Sequence, residues 1–171
     1  MCTSFCQWWL QYYNYGSYAD KLQALKAELE TEGVSVLALA FDVCDRNATR
    51  EAVNSIPESF KPIDVLINNA GLARGLEPEY EGSFQDWDEM IDTNIKGLLN
   101  MTRLVVPQMV SLNHGHVINI GSVAGDAAYA GGGVYCATKA AVKALTDGLR
   151  IDVAHTRVRV TNLKPGLVET N

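Results

Sequence analysis

Apolar residues alternate between helix-like and strand-like spacing from Ala19 onward. Leu22 and Leu25 lie in a lysine- and glutamate-rich stretch that predicts a helix, and Gly33 is expected to end it because glycine tolerates a positive φ. The continuous apolar run 34–43 then predicts a strand that is covered on both faces. Alternation of this kind is typical of a parallel α/β sheet.

The alternation continues in the middle of the chain. A short helix is predicted over 46–56, with Asp45 as its N-cap, and a buried strand over 63–67. Ser83 is placed to cap a long helix, which Pro107 is expected to bend or end. The apolar side chains that this helix is expected to turn inward are Trp87, Met90, Ile91, Ile95, Leu98, Leu99 and Leu104.

The last third of the chain predicts a strand over 116–120, a helix over about 135–155 and a strand over 158–163. The helix residues expected to share one buried face are Ala141, Leu145, Leu149 and Val153. Unusual polar residues follow several predicted strands. Because ligands of open α/β sheets bind outside the carboxyl ends of the strands, this edge is the expected ligand site.

Composition narrows the function classes. A chain of 171 residues with 47% hydrophobic content predicts one domain with a sizeable core. A net charge of −6 without a basic stripe argues against nucleic acid as a partner, and no apolar run is long enough for a membrane span. The opening residues lack the basic segment of a signal peptide. The cysteines and histidines show neither a disulfide framework nor metal-ligand spacing, which favours a reducing, cytoplasmic location and no metal.

Tyr135 and Lys139 are four residues apart at the start of a predicted helix, so their side chains share one face. A tyrosine hydroxyl is a poor base near neutrality, but a neighbouring ammonium favours the phenolate. Such a pair can exchange a proton with an alcohol or carbonyl oxygen. The same spacing alone also fits two surface residues of a helix.

Two further polar residues belong to the same edge. Ser122 follows the predicted strand 116–120 and could hydrogen-bond a reacting oxygen, although a serine beside Gly121 also fits a simple turn. Asn94 lies inside a predicted helix, where asparagine is a mediocre helix former. Either it has a role in the site or it is a buried amide with its hydrogen bonds satisfied.

Several short motifs together resemble the short-chain dehydrogenase/reductase family. They are NNAG at 68–71, Asn94, Ser122, YCATK at 135–139 and PG at 165–166, in the family's order and approximate spacing. The amino-acid sequence in and around these motifs is similar to that of the branch of NADP-dependent serine and 3-hydroxy acid dehydrogenases. The resemblance covers roughly 19–170.

The resemblance implies an α/β fold, a Rossmann-like doubly wound parallel sheet, and hydride transfer between a nicotinamide cofactor and a small hydroxy or carbonyl substrate. Tyr135 would be the general acid/base and would contact the substrate. Lys139 would favour its phenolate and hold the nicotinamide ribose. Ser122 would orient the substrate oxygen, and Asn94 would anchor a proton-relay water.

The resemblance also implies contacts with NADP or NAD and a homo-oligomer built through two long helices. The cofactor-binding residues that it implies are Asp42 and Val43 for the adenine, Asn68, Ala70 and Gly71 for the adenosine side, Tyr135 and Lys139 for the ribose, and Pro165, Gly166, Val168 and Thr170 for the nicotinamide amide.

The N-terminal part departs from the family pattern. Members begin with a strand and a TGxxxGxG turn that binds the pyrophosphate, whereas the only glycines before Gly71 are Gly16 and Gly33. When the chain is aligned with the family pattern backward from residues 20–22, residues 10–16 fall where the second strand belongs. Ser17 and Tyr18 then occupy the positions of the arginines that would bind a 2′-phosphate. No residue present therefore favours NADP over NAD.

We therefore expect the domain to be incomplete, without the first strand and helix and without the last helix and strand. Residues 1–18 would form an atypical segment and 19–171 a partial Rossmann-like domain. The first strand lies centrally in the order 3-2-1-4-5-6, so the isolated chain is expected to be unstable. Two functions stay open: an NAD(P)-dependent oxidoreductase, or a truncated, inactive fragment that at most associates with partner subunits.

Overall fold

A computed structural model describes residues 7–12 and 19–167. The chain divides into two compact units, Met1–Pro62 and Ile63–Asn171. Within the described residues five strands form two separate parallel sheets, one of two strands and one of three. The predicted parallel α/β fold class is confirmed.

The first unit contains a two-stranded sheet with helices between and after the strands. Its elements are β1 Gln7–Tyr12, α1 Ala19–Thr31, β2 Ser35–Ala40 and α2 Arg46–Asn54. β1 begins three residues before the predicted strand 10–16, whose last four residues lie outside the described part. Gly33 follows α1 with φ +78° and its amide donates to the Glu30 carbonyl at 3.1 Å, as predicted.

Side-chain hydrogen bonds set the ends of β2 and α2. β2 ends at Ala40, earlier than the predicted 43, because the chain turns where the Cys44 amide donates to Asp42 Oδ1 at 2.8 Å. Asp45 caps α2, as predicted: its carboxylate accepts from the Asn47 and Ala48 amides at 2.8 and 3.1 Å.

The second unit contains three parallel strands in the order β3-β4-β5, connected by helices. Its elements are β3 Val65–Asn68, α3 Phe84–Ile91, a π-helical segment Asp92–Gly97, α4 Leu98–Ser111, β4 His116–Ile120, α5 Gly133–Asp152 and β5 Arg159–Leu163. Among its most buried side chains are Leu66, Met90, Met101, Val105, Met109, Val117 and Val142. Asn68, Asn119 and Asn162 occupy one register position across the three strands.

The long helical region begins as predicted but continues past Pro107 and exposes two residues that were expected to be buried. Ser83 caps α3 by accepting from the Asp86 amide at 3.3 Å, as predicted. α4 does not end at Pro107 but continues to Ser111, because its buried apolar face outweighs the one backbone hydrogen bond that proline removes. Ile91 and Leu99, expected to point inward, are 37% and 42% exposed. The π-helical segment between them shifts the helical phase of Leu99 relative to α3.

α5 buries a different face from the predicted one. Of the four residues predicted to share a buried face, Val153, just after the helix, is buried, whereas Ala141, Leu145 and Leu149 are only half-buried. The buried residues of α5 are Cys136, Thr138, Lys139, Val142 and Thr146. The apolar pattern misled here because the threonines satisfy their hydroxyls internally, so that polar side chains can occupy the core face. None of the described helices has the length and apolarity that a membrane crossing requires.

Candidate active site

Tyr135 and Lys139 lie on the first turns of α5, where that helix meets the carboxyl end of β4. The Lys139 Nζ atom is 5.8 Å from the centroid of the Tyr135 ring. Tyr135 is half-buried and Lys139 is only 7% exposed. The predicted pair is therefore a phenol with a buried cation beside it rather than two surface residues.

Lys139 also connects α5 to the central strand of its sheet. Its Nζ donates to the carbonyl of Ile120, the last residue of β4, at 2.9 Å. Burial lowers the pKa of Lys139 because desolvation disfavours the ammonium. An ammonium has three hydrogens to donate, and Ile120 is its hydrogen-bond acceptor among the described residues, so the group can also donate to a ligand hydroxyl.

Ser122 begins the short 3-10 turn Val123–Gly125. Its Oγ accepts from the Ala124 amide at 3.1 Å, so it is a turn serine whose own hydroxyl hydrogen stays available for donation. Gly125 lets this turn approach α5 closely, since a methyl group added there would lie 2.7 Å from the Lys139 carbonyl oxygen. The close approach fixes Ser122 relative to the start of α5.

The turn after β4 also contacts the segment after β5. The Val123 amide donates to the Pro165 carbonyl at 3.1 Å, and the Gly121 amide donates to the Leu163 carbonyl at 2.7 Å. Pro165 is thereby placed beside Ser122, and Gly166 follows it in an exposed position. Val168 and Thr170, also predicted as cofactor contacts, lie outside the described residues.

Asn94 lies in the π-helical segment and is 2% exposed. Its Oδ1 accepts from the Leu72 amide, and its Nδ2 donates to the Leu72 carbonyl and to Thr138 Oγ1, each at 2.9 Å. Both hydrogens of the amide are thus committed to protein acceptors. A methyl group added to Gly71 would lie 3.3 Å from both Asn94 Oδ1 and Lys139 Nζ, so Gly71 closes over these two residues.

Asn68 is directed into the sheet. It is 7% exposed, and its Nδ2 donates to Asn119 Oδ1 at 2.8 Å and to Thr102 Oγ1 at 3.3 Å. This side chain therefore holds β3 against β4. In the rest of the motif Asn69 and Gly71 are exposed and Ala70 is half-buried.

The two predicted adenine contacts belong to the first unit. Asp42 is half-buried and holds the turn after β2. Val43 is completely buried, so its side chain is part of the core of that unit. Ser17 and Tyr18, at the positions associated with a 2′-phosphate, lie outside the described residues.

Sequence reasoning missed a cavity of about 300 Å³ that reaches Tyr135. It lies between the segment after the NNAG motif, α3 and the glycine-rich start of α5, and its lining includes Arg74, Trp87, Met90 and Tyr129. The unusual GLARGLEP and YAGGGV stretches are the sequence signal that could have indicated it. Thr138 was also missed, because it is hidden between the two residues of the tyrosine-lysine motif.

The residues present fit the nicotinamide riboside end of a dinucleotide. A buried ammonium with hydrogens to spare adjoins a phenol, and Gly71 keeps the space above Lys139 free of a side chain. For the pyrophosphate end, the sequence before Gly71 contains two glycines, Gly16 and Gly33, and no glycine-rich turn of the kind that binds a phosphate. Among the described residues no cluster of three His, Cys, Asp or Glu side chains could hold a metal.

Comparison with known proteins gives one consistent result. The family model described as short chain dehydrogenase matches residues 9–171. The NADP-dependent 3-hydroxy acid dehydrogenase YdfG of Salmonella typhi is 54% identical over 153 residues, which cover 90% of this chain and 60% of that protein. The serine 3-dehydrogenase of Agrobacterium fabrum is 44% identical over 155 residues, covering 91% and 61%.

A solved structure described as the closed form of serine dehydrogenase complexed with NADP+ superimposes with a TM-score of 0.84 at 52% identity, over 88% of this chain and 59% of that one. The chain thus spans about 60% of the length of the curated relatives that it matches.

Proposed function

We infer that this chain, which belongs to the short-chain dehydrogenase family, carries the proton-transfer and nicotinamide-binding part of an oxidoreductase. The proposed reaction moves a hydride between NADP and the hydroxyl-bearing carbon of a small 3-hydroxy acid or serine-like alcohol. The observation that carries this proposal is the buried Lys139 ammonium 5.8 Å from the ring centroid of Tyr135.

Tyr135 is the proposed general acid/base. In the oxidation direction its ionised oxygen accepts the proton of the substrate hydroxyl, and in the reduction direction its hydroxyl returns that proton. Lys139 is proposed to assist this exchange, because its ammonium lies 5.8 Å from the centroid of the Tyr135 ring. A charge interacts more strongly with its neighbours where water is excluded, because the local dielectric constant is lower than that of bulk solvent.

Ser122 is proposed to hold the reacting oxygen. One of its two lone pairs accepts from the Ala124 amide, and its hydrogen remains to be donated to the substrate. A substrate oxygen fixed by Ser122 and Tyr135 would be held in one orientation, which is how positioning contributes to rate. Asn94 remains the proposed anchor of a proton-relay water, and its side chain holds Leu72 and Thr138.

When bound, the nicotinamide supplies the hydride acceptor or donor. We propose Lys139 as the donor to its ribose hydroxyls. The residues proposed to lie along the bound nicotinamide riboside are Ala70, Gly71, Pro165 and Gly166. The remaining proposed cofactor contacts are Asp42, Val43, Asn68, Val168 and Thr170. NADP is favoured over NAD by the names of the relatives alone.

The substrate class is supported by relatives named for 3-hydroxy acids and for serine. The cavity that reaches Tyr135 is of a size for a small molecule. We also retain the proposals of a partial Rossmann-like domain over 19–171, a cytoplasmic location and a homo-oligomer. The homo-oligomer is supported by exposed apolar side chains on or beside α4 and α5, namely Leu99, Leu112 and Ile151.

A second function is a non-catalytic fragment that associates with partner subunits. The absence of a glycine-rich turn before Gly71 favours it for the 171-residue chain taken alone. The two functions differ in whether purified protein turns over a nicotinamide cofactor.

The test is a substrate panel with the purified, folded protein that contains this chain. L-serine, a plain 3-hydroxy acid and a matched 2-hydroxy acid are offered with NADP+ or NAD+, and formation of the reduced nicotinamide is followed by absorbance. We expect turnover with the 3-hydroxy compounds, preferentially with NADP+, and a large loss of turnover in Ser122→Ala. Folded protein that oxidises none of these substrates would favour the fragment.

A further inference from the structure

Thr138 lies between the two residues of the tyrosine-lysine motif and is 1% exposed. Its hydroxyl donates to the Tyr135 carbonyl at 2.7 Å and accepts from Asn94 Nδ2 at 2.9 Å. It therefore contacts both α5, within the turn that carries Tyr135, and the π-helical segment.

The directions of these hydrogen bonds are determined by the chemistry of the groups. The Tyr135 carbonyl can only accept, so the single hydrogen of the Thr138 hydroxyl is used there. Thr138 Oγ1 must then accept from Asn94, which requires the nitrogen of the Asn94 amide to face it. The Leu72 amide and carbonyl require the same orientation from the other side.

The resulting junction joins three parts of the site. Thr138 holds Asn94, Asn94 holds both backbone groups of Leu72, and Leu72 follows Gly71, which closes over Lys139. A loose amide at Asn94 would release the segment after β3 from the start of α5. The Thr138 hydroxyl thus links α5 to the amide that holds this segment.

We propose that Thr138 is a positioning residue, which fixes the Asn94 amide and through it the Gly71–Leu72 segment against Tyr135 and Lys139. The proposal rests on the proposed function only in its effect on turnover. Its structural part, the ordering of Leu72 through Asn94, holds whether or not the chain is a dehydrogenase.

Thr146 provides a matched control on the same helix. It is also buried, donates to the Val142 carbonyl at 2.6 Å and accepts from Asn119 Nδ2 at 2.9 Å. Threonine to valine at either position removes one hydroxyl, keeps the side-chain shape and removes the acceptor of one hydrogen of an asparagine Nδ2. Only Thr138 contacts the amide that holds Leu72.

The experiment measures hydrogen exchange at the Leu72 amide in the folded protein that contains this chain, together with kcat and KM. Thr138→Val should raise Leu72 exchange and lower kcat, each about tenfold, as expected for one buried hydrogen bond left unmade, with KM little changed. Thr138→Ser, which keeps the hydroxyl, should restore most of both. Thr146→Val should leave Leu72 exchange at the wild-type rate.

Three results would overturn the proposal: unchanged Leu72 exchange in Thr138→Val, an equal rise in Thr146→Val, or loss of folding in Thr138→Val while Thr146→Val folds. The last would make Thr138 a residue of general stability. Absence of turnover in every protein, with Leu72 exchange raised by Thr138→Val alone, would contradict the proposed function and support the Thr138 junction.

Discussion

Lys139 is the buried charge around which the candidate site is arranged. Desolvation of an ammonium is costly, and the Ile120 carbonyl offsets only part of that cost. Burial accordingly lowers the pKa of Lys139. An apolar side chain at this position would avoid the desolvation cost and make the fold more stable. The retention of a buried ammonium is therefore consistent with a role in binding or proton transfer.

The lowered pKa predicts how stability depends on pH. Between the pKa of folded Lys139 and the ordinary lysine value of 10.5 the folded state binds fewer protons than the unfolded state. Its stability therefore gains from rising pH across this window. Lys139→Met removes this contribution. The melting temperature of the variant minus that of the wild type should fall as the pH is raised from about 7 to about 10.

Lys143→Met is the control for this measurement, because Lys143 lies on the same helix but is 46% exposed, with its ammonium 3.3 Å from Asp147. Its difference from the wild type should change much less over the same range. Equal slopes in the two variants would contradict a buried charge at Lys139.

At the scale of elements, the turn Val123–Gly125 and α5 are held together by a close backbone approach. A methyl group at Gly125 would lie 2.7 Å from the Lys139 carbonyl oxygen and 3.1 Å from the Ala140 amide nitrogen. Neither is the end of a flexible side chain that could move aside. The turn, and Ser122 with it, must shift if any side chain is introduced.

Gly125→Ala should therefore lower the free energy of unfolding by roughly 1–3 kcal/mol, as overpacking does, and should reduce turnover by displacing Ser122. Gly148→Ala, inside α5 with open space around it, should instead stabilise the protein by about 1 kcal/mol through helix propensity. Thermal unfolding and turnover of both variants test the pair. A Gly125→Ala protein as stable and active as the wild type would contradict the close approach.

Hydrophobic spacing predicted most elements, including β4 at its observed bounds, because each packs one apolar face on the sheet. The element ends that it missed depend on single polar contacts, such as the Asp42 turn that ends β2. The buried face of α5 was missed because its threonines bond to carbonyls and to asparagines from distant segments. Contacts of that kind leave no periodic signal.

The site was predictable to the extent that its motif residues are close in sequence. The spacing of Tyr135 and Lys139 indicates a shared helix face, and the structure adds the burial of the lysine. The sequence left the side chain of Asn94 open between two interpretations, since its partners Leu72 and Thr138 are 22 and 44 residues away. The π-helical segment that presents it has no sequence pattern of its own.

At the scale of the whole molecule, β3 is an edge strand of the described three-stranded sheet with two exposed apolar side chains. Val65 and Ile67 are each 47% exposed. Within the described residues the hydrogen-bonded neighbour of β3 is β4 alone. An edge strand with exposed apolar side chains favours association with other chains.

We therefore expect the 171-residue chain, expressed alone, to be poorly soluble, and the double variant Val65→Lys/Ile67→Lys to increase its soluble fraction. The control adds the same charge at exposed positions outside any strand, with Leu76→Lys/Tyr80→Lys, whose side chains are 78% and 84% exposed. Centrifugation followed by quantification of the supernatant measures the effect. An equal gain from both pairs would show that charge, and not the β3 edge, limits solubility.

The central claim is that Tyr135, beside the buried Lys139, transfers the proton in a nicotinamide-dependent reaction. It is tested most directly by comparing turnover of the wild type with that of Tyr135→Phe, which keeps the ring and removes the proton, in the folded protein that contains this chain. The account predicts a fall of roughly 10²–10⁴-fold in kcat, with the melting temperature little changed. Turnover in Tyr135→Phe close to that of the wild type would contradict it.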